Sequence, residues 1–157
     1  KTNTIDSLEN VYFEITSLIQ NKGKEFRAGN FDALTGNSTL QGGQIFRLNK
    51  TFFAADSSRL TTAALNELKQ LNEFLQKNPQ LIVEIAGHTN GLPDKAYCDQ
   101  LSNDRAKRVA DFLYQNGIPP DRVRYKGYGK SRPIASNEHS YGRRKNQRVE
   151  LKIIKIQ

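Results

Sequence analysis

The chain is predicted to form an α+β domain, a two-layer sandwich in which a mixed four-stranded sheet carries helices on one face. Apolar runs typical of strands alternate with two segments of helical periodicity, in the order strand–helix–strand–helix–strand–loop–strand. The run at residues 81–86 is short and strongly apolar, as expected of a strand covered on both faces. At 157 residues, 36% hydrophobic and 25% charged, the chain can bury a core and has the composition of a globular domain.

The first part of the chain is weakly patterned. Residues 1–43 are expected to form an N-terminal arm or extension, with a short strand at residues 11–15 and a boundary at Gly42-Gly43. Residues 44–157 are predicted to form the domain. Because the sequence opens at Lys1 rather than at a methionine, we expect a processed product or a piece of a longer protein.

The domain elements follow from periodicity and from helix and strand signals. Apolar residues recur every three or four positions in both predicted helices, and they alternate with charged residues in the last strand. Asp56-Ser57-Ser58 is predicted to cap the first helix, Asn78-Pro79 to end it, and Gly117 to end the second. The predicted order is a strand at 45–53, a helix at 61–78, a strand at 81–86, a helix at 102–116, a strand at 123–128, a polar loop at 129–142 and a strand at 148–156.

The charge is concentrated near the C-terminus. The chain has a net charge of +8, and residues 122–157 hold eleven of its 24 lysines and arginines against only Glu138 and Glu150. Such a stretch can face nucleic acid, anionic lipid or an acidic polymer, or it can be a solvated basic face.

Membrane and metal signals are weak. No run approaches the roughly 18 apolar residues of a membrane-spanning helix. A single cysteine, Cys98, cannot form an internal disulfide, and with His88 and His139 it lacks the spacing of zinc ligands. We therefore expect no metal and no cofactor.

The most informative stretch is residues 82–109. A strand ends in Gly87-His88-Thr89-Asn90, and the next helix is predicted to open at Leu101-Ser102, which places Arg105 in its first turn. A cation near the positive end of a helix dipole costs a few tenths to about 1 kcal/mol, so Arg105 is expected to have an anionic partner. The partner is either a ligand carboxylate or a surface carboxylate such as Asp94, Asp99 or Asp104.

Six motifs carry a resemblance to a known family. They stand at residues 52–60 (FFAADSSRL), 87–90 (GHTN), 101–106 (LSNDRA), 127–130 (GYGK), 133–137 (PIASN) and 146–150 (NQRVE). In this order and spacing they resemble the OmpA-like peptidoglycan-binding domain, which also occurs in Pal lipoproteins and MotB-type stators. The resemblance implies non-catalytic binding of the peptidoglycan stem peptide through diaminopimelate. It also implies that the domain anchors an outer-membrane or periplasmic protein to the wall of a Gram-negative bacterium.

The resemblance also implies which residues contact the ligand. The family's arginine that pairs with the diaminopimelate carboxylate maps to Arg105, whereas the aspartate that pairs with the ammonium is replaced by Asn90. The family's loop asparagine maps to Cys98, and the first arginine of its Asn-Arg-Arg-Val motif maps to Gln147. The position of the first aspartate in the family's Phe-Phe-Asp segment is occupied here by Ala54, whereas Asp56 is retained. The implied ligand-binding residues are Arg105, Asn90, Thr89, Asp56, Cys98, Asp99, Leu101 and Gln147.

Asn90 leaves two outcomes open for the ammonium. Asn90 brings no charge, so the site either binds the same ligand more weakly or takes the missing charge from Asp99 or Asp56. Asn90-Gly91 is also a strong turn dipeptide. The variants at Asn90 and residues 97–99 resemble domains of Bacteroidetes envelope proteins, including a type IX secretion component.

Several other residues allow a functional and a structural interpretation. His88 is interpreted as a structural residue at the strand end, because no catalytic grouping accompanies it. Residues 143–145 and Arg148 either contact ligand carboxylates or form a solvated rim. A nucleic-acid binder is a poor alternative because no helix has a sustained basic face. A cell-wall amidase is poor because neither a nucleophile with its base nor a metal site is visible.

Overall fold

The structure is a computed structural model, and it describes residues 26–30, 40–48, 53–54 and 56–157. The elements are β1 Phe26–Asn30, β2 Gln44–Arg47, α1 Thr62–Lys77, β3 Leu81–His88, α2 Lys95–Gln115, β4 Val123–Gly127, α3 Ser140–Asn146 and β5 Arg148–Ile156. A short 3₁₀ turn, Pro120–Arg122, leads into β4. No helix in the described part of the chain is both long and apolar enough to span a bilayer.

The strands form one mixed sheet in the order β1-β2-β5-β3-β4. β3 pairs in parallel with β4, and β5 lies antiparallel between β2 and β3. The predicted mixed four-stranded sheet is confirmed. β1 adds a fifth strand at its edge, parallel to β2, and comes from the predicted N-terminal extension. The strand predicted at residues 11–15 lies outside the described residues, and the boundary after residue 43 stays a prediction.

The core lies between the sheet and the two long helices. Val83 pairs with Ile153 and Ile85 with Leu151, so these four apolar side chains share one face of the sheet. One hydrophobic cluster joins this face to the helices, and its fully buried helical members are Ala64, Leu68, Leu71, Leu75, Ala106, Val109, Ala110 and Leu113. The leucines that recur every three or four residues in the sequence therefore form the buried face of α1.

The start of α1 differs from the prediction. Thr61 caps the helix, and its Oγ1 accepts a hydrogen bond from the Ala64 N–H at 3.2 Å. The predicted cap at Asp56-Ser57-Ser58 is wrong because these residues belong to a turn between Phe53 and Leu60, which pair in an isolated antiparallel bridge. Phe53 thus lies outside β2, whose described part ends at Arg47, and residues 49–52 lie outside the described chain.

The start of α2 also differs. The helix begins at Lys95, where Asp94 caps it by accepting a hydrogen bond from the Tyr97 N–H at 2.8 Å. The prediction that it opens at Leu101-Ser102 is wrong, and so is the dipole argument built on it. Arg105 is the eleventh of 21 helical residues, far from the positive end of the dipole. The predicted polar loop at 129–142 ends early, because α3 begins at Ser140.

Candidate ligand-binding site

Small residues bring α2 against the ends of β3 and β4. A Cβ added to Gly87 would lie 2.2 Å from the Ser102 carbonyl oxygen, and one added to Gly127 would lie 2.3 Å from the Asn103 nitrogen. Ser102 is fully buried, and its Oγ accepts a hydrogen bond from the Gly129 N–H at 2.9 Å. The glycines of the Gly-His-Thr and Gly-Tyr-Gly motifs therefore allow a close approach that sets the position of α2 and of Arg105.

Arg105 is buried and oriented by two contacts. The residue is only 9% exposed. Its Nε donates a hydrogen bond to the Ser57 carbonyl at 2.9 Å, and its guanidinium carbon lies 5.1 Å from the centroid of the Phe53 ring. Within the described residues, Arg105 forms no salt bridge, and its two terminal nitrogens make no hydrogen bond. A guanidinium carries two parallel terminal N–H groups, which can bind both oxygens of a carboxylate.

The three nearby carboxylates considered from the sequence have other partners. Asp94 caps α2, Asp99 accepts from Lys95 Nζ at 2.6 Å, and Asp104 accepts from Gln100 Nε2 at 2.9 Å. None of these three carboxylates pairs with Arg105, so the surface salt bridge considered from the sequence is not formed by them.

Asp56 and Tyr97 stand beside Arg105. The Tyr97 hydroxyl donates to Asp56 Oδ1 at 3.1 Å, and this hydrogen bond raises the pKa of Tyr97. Burial lowers the pKa of Arg105, while the electrostatic effects of Tyr97 and Asp56 oppose that shift. Arginine stays charged under all ordinary conditions, so the site combines a buried cation with an exposed carboxylate. Asp56 has a positive φ of 48°, a strained backbone conformation for a residue other than glycine.

Asn90 lies in a turn that contacts the first turn of α2. Its Oδ1 accepts from the Leu92 N–H at 2.9 Å, so its amide oxygen takes part in the turn itself. Its backbone carbonyl accepts from Thr89 Oγ1 at 3.0 Å and from the Cys98 thiol at 3.7 Å. Cys98 is fully buried under this turn, next to the exposed Tyr97. The turn after β3 and the Arg105 site are therefore connected through adjacent residues of α2.

Comparison with known proteins places this arrangement in a family. Residues 52–147 match the OmpA family. The chain belongs to the OmpA family. Relatives in the OmpA family are structural proteins rather than enzymes.

Three curated relatives share about a third of their aligned residues with this domain. Outer membrane porin F of Pseudomonas fluorescens is 39% identical over 101 residues, which cover 64% of this chain and 31% of that protein. Outer membrane protein A of Bordetella avium is 36% identical over 104 residues, covering 66% of this chain and 54% of that protein. The peptidoglycan-associated lipoprotein of Brucella melitensis is 33% identical over 111 residues, covering 69% and 66%. The match thus spans from about a third to two thirds of the length of these relatives.

Solved structures show the same fold. The periplasmic domain of Helicobacter pylori MotB superposes with a TM-score of 0.63 at 26% identity, covering 71% of this chain and 75% of that one. The cell wall anchor of the T6SS from Pseudomonas aeruginosa superposes with a TM-score of 0.60 at 28% identity, covering 66% and 75%. These similarities confirm the predicted fold class.

Some of the residues expected to bind ligand in this OmpA-family domain gather near Arg105, and others do not. Asp56 shares the site with Arg105, Thr89 and Asn90 lie in the adjoining turn, and Cys98 lies in α2 under that turn. Asp99 pairs with Lys95 at the surface, and Leu101 is half-buried. Gln147 is exposed after α3, where its backbone N–H donates to the Arg143 carbonyl; within the described residues it has no contact with Arg105.

Tyr97 is a site residue that the sequence interpretation left out of the binding set. Once α2 is known to begin at Lys95, Tyr97, Leu101 and Arg105 recur every four residues and lie along one side of the helix. The four-residue spacing can be seen in the sequence, but it places the three side chains on one side only if the segment is helical.

The basic residues around β5 do not form one surface. Arg148 is buried, so it is not part of a solvated rim, and its Nη2 lies 2.9 Å from Glu150 Oε1. Its three guanidinium nitrogens already donate hydrogen bonds to Glu150 Oε1 and to the carbonyls of Asn146 and Arg132, unlike the terminal nitrogens of Arg105. His88 is the buried last residue of β3, and its Nε2 lies 2.9 Å from the same carboxylate oxygen of Glu150. Among the described residues, no cluster of histidine, cysteine and acidic side chains could hold a metal ion.

Proposed function

We propose that this domain binds the stem peptide of peptidoglycan through its diaminopimelate residue and so anchors an envelope protein to the cell wall. The observation that carries the proposal is the buried Arg105 guanidinium, which has no carboxylate partner among the described residues and lies beside Asp56. Burying a charge costs free energy unless the charge is paired, so a buried arginine without a carboxylate partner in the protein is suited to binding the anionic group of a ligand.

The carboxylate of the diaminopimelate side chain is assigned to Arg105. The Ser57 carbonyl and the Phe53 ring hold one edge and one face of the guanidinium, which leaves its two terminal nitrogens for a bidentate contact. Because both contacts come from the protein itself, they hold the fork in one orientation, and a fork held in this way loses less freedom on binding.

The ammonium on the same ligand carbon is assigned to Asp56. Of the two acids considered from the sequence, Asp99 already pairs with Lys95, whereas Asp56 is exposed and acts electrostatically on Arg105. The Tyr97 hydroxyl orients the Asp56 carboxylate through one of its oxygens and leaves the other for the ligand. Asn90 then adds a neutral acceptor, since an amide oxygen that accepts from Leu92 keeps a second lone pair.

The relatives support a place at the wall. One of them is a peptidoglycan-associated lipoprotein and another is the cell wall anchor of the T6SS. Together with the outer membrane proteins, they support a periplasmic location next to the outer membrane. The finer assignment to a Bacteroidetes envelope protein, including a type IX secretion component, is supported only by Asn90 and the variants at residues 97–99.

A pair of stem peptides tests the assignment. A peptide with meso-diaminopimelate and the matched peptide with lysine both carry the side-chain ammonium, but only the first carries the carboxylate. We expect the diaminopimelate peptide to bind at least about tenfold more tightly, because a hydrogen bond to a charged group contributes about 1.5–3 kcal/mol. Isothermal titration calorimetry measures both affinities. Equal affinities would contradict the assignment of the carboxylate to Arg105.

Restoring a carboxylate at Asn90 is expected to keep or increase affinity. Asn90→Asp adds a negative charge near the proposed ammonium, and charged hydrogen bonds are roughly twice as strong as neutral ones. We expect binding of free meso-diaminopimelate to be equal to that of the unchanged domain or up to about tenfold tighter. Gln157→Glu adds the same charge at the last residue and serves as the control. A clear loss of affinity in Asn90→Asp alone would show that the ammonium lies elsewhere.

A further inference from the structure

The turn that carries Asn90 is held by α2 and also by the segment before α3. The Gly91 N–H donates to Asn137 Oδ1 at 2.9 Å, across 46 residues of sequence. The same oxygen accepts a second hydrogen bond, from Asn146 Nδ2, also at 2.9 Å. Asn137 therefore acts through its oxygen, which receives one bond from the turn and one from the end of α3.

Asn146 gives Asn137 a rigid support. Asn146 is fully buried, and its Oδ1 accepts from the N–H groups of Ile134 at 2.7 Å and Ala135 at 3.0 Å. Its Nδ2 also donates to the Ala135 carbonyl at 2.8 Å. Both the oxygen and the nitrogen of the Asn146 amide thus make hydrogen bonds, and these bonds connect the end of α3 to the segment that contains Asn137.

Packing against Asn137 and two further hydrogen bonds fix the turn to the loop that joins β4 to α3. A Cβ added to Gly91 would lie 2.5 Å from Asn137 Nδ2, so the turn and the side chain are in close contact. On either side of this contact, the Thr89 N–H donates to the Gly129 carbonyl at 2.9 Å, and Lys130 Nζ donates to the Pro93 carbonyl at 2.7 Å. The turn is therefore clamped at both ends, with the Asn137 bond near its middle.

We propose that Asn137 is a positioning residue for ligand binding, which acts by fixing the Asn90-Gly91 turn in its binding geometry. This inference rests on the proposed function. Asn137 need not touch the ligand, because its oxygen holds the turn that contacts it. A turn that is ordered before binding loses less conformational freedom when the ligand arrives, and the saved entropy appears as affinity.

The test compares variants that remove, keep or break this hydrogen bond. Asn137→Ala removes the acceptor, Asn137→Asp keeps an oxygen for both donors, and Gly91→Ala breaks the same bond from the turn. Glu138→Ala changes the exposed neighbouring residue and is the control. Each variant is titrated with the meso-diaminopimelate stem peptide, and the hydrogen-exchange protection of the Gly91 amide is measured by NMR.

We expect Asn137→Ala and Gly91→Ala each to raise Kd about tenfold, with loss of protection at Gly91, because the half-buried Gly91 N–H loses the acceptor that holds the turn. Asn137→Asp and Glu138→Ala are expected to stay within about twofold of the unchanged domain. Unchanged affinity in both Asn137→Ala and Gly91→Ala would overturn the inference. So would equal losses in Asn137→Asp and Asn137→Ala. If the unchanged domain fails to bind the peptide, the proposed function itself is wrong.

Discussion

Replacing Arg105 with alanine is expected to weaken binding of the diaminopimelate stem peptide by about 100-fold or more. The variant would remove the two charged hydrogen bonds that we propose between Arg105 and the ligand carboxylate, and each such bond contributes about 1.5–3 kcal/mol. Every 1.4 kcal/mol corresponds to a factor of ten in affinity, so the two bonds together account for at least two factors of ten. Calorimetry with the peptide and co-sedimentation with purified sacculi measure the loss.

Two further variants separate charge from geometry. Arg105→Lys keeps the positive charge but loses the planar fork, so we expect an affinity between those of the unchanged domain and Arg105→Ala. Arg108→Ala removes an exposed arginine from the same helix and is the matched control, with unchanged binding expected. Unchanged retention of Arg105→Ala on sacculi would refute the proposed site, provided that its circular dichroism spectrum shows a folded domain.

Replacing Gly87 with alanine is expected to destabilise the fold by about 3 kcal/mol, at the upper end of overpacking effects. The added Cβ would lie 2.2 Å from the carbonyl oxygen of Ser102, a backbone atom that cannot swing aside as the end of a side chain can. Either β3 or α2 must shift, and both belong to the main core. For a domain of this size we expect the melting temperature to fall by roughly 6–12 °C, measured by calorimetric or circular dichroism melting.

Gly42→Ala provides the control for Gly87. A Cβ on Gly42 would lie 3.5 Å from the Ile154 carbonyl oxygen, which is an ordinary contact, so we expect little change in stability. A melting temperature of Gly87→Ala equal to that of Gly42→Ala would contradict the close approach of α2 to β3. Where Gly87→Ala still folds, its affinity for the stem peptide should also fall, because a displaced α2 moves Arg105.

Strong local patterns predicted their elements closely. The last strand was predicted at 148–156 and spans Arg148–Ile156, because the alternation of apolar and charged residues along it is typical of a strand. The first helix was predicted within one residue at each end, because its leucines mark one buried face.

Elements whose residues face solvent were predicted less well. The first turns of α2 expose Lys95 and Tyr97, so they lack the apolar periodicity that indicates a helix. Asp94 is a typical capping residue, but in the sequence it stands among polar residues with the composition of a loop. The turn at Asp56 was mistaken for a cap because serine and aspartate serve both roles.

By itself, the sequence determined the fold class, the family resemblance and the choice of Arg105 as the central residue, because these depend on local patterns and motif spacing. Only the tertiary structure decided that Arg105 is buried in mid-helix, that Asp56 rather than Asp99 stands beside it, and that Asn137 supports the Asn90-Gly91 turn. Ser57 and Arg105 are 48 residues apart, and Gly91 and Asn137 are 46 apart. Such contacts depend on how closely α2 packs on the sheet, and that distance is set by the absent side chains of Gly87 and Gly127.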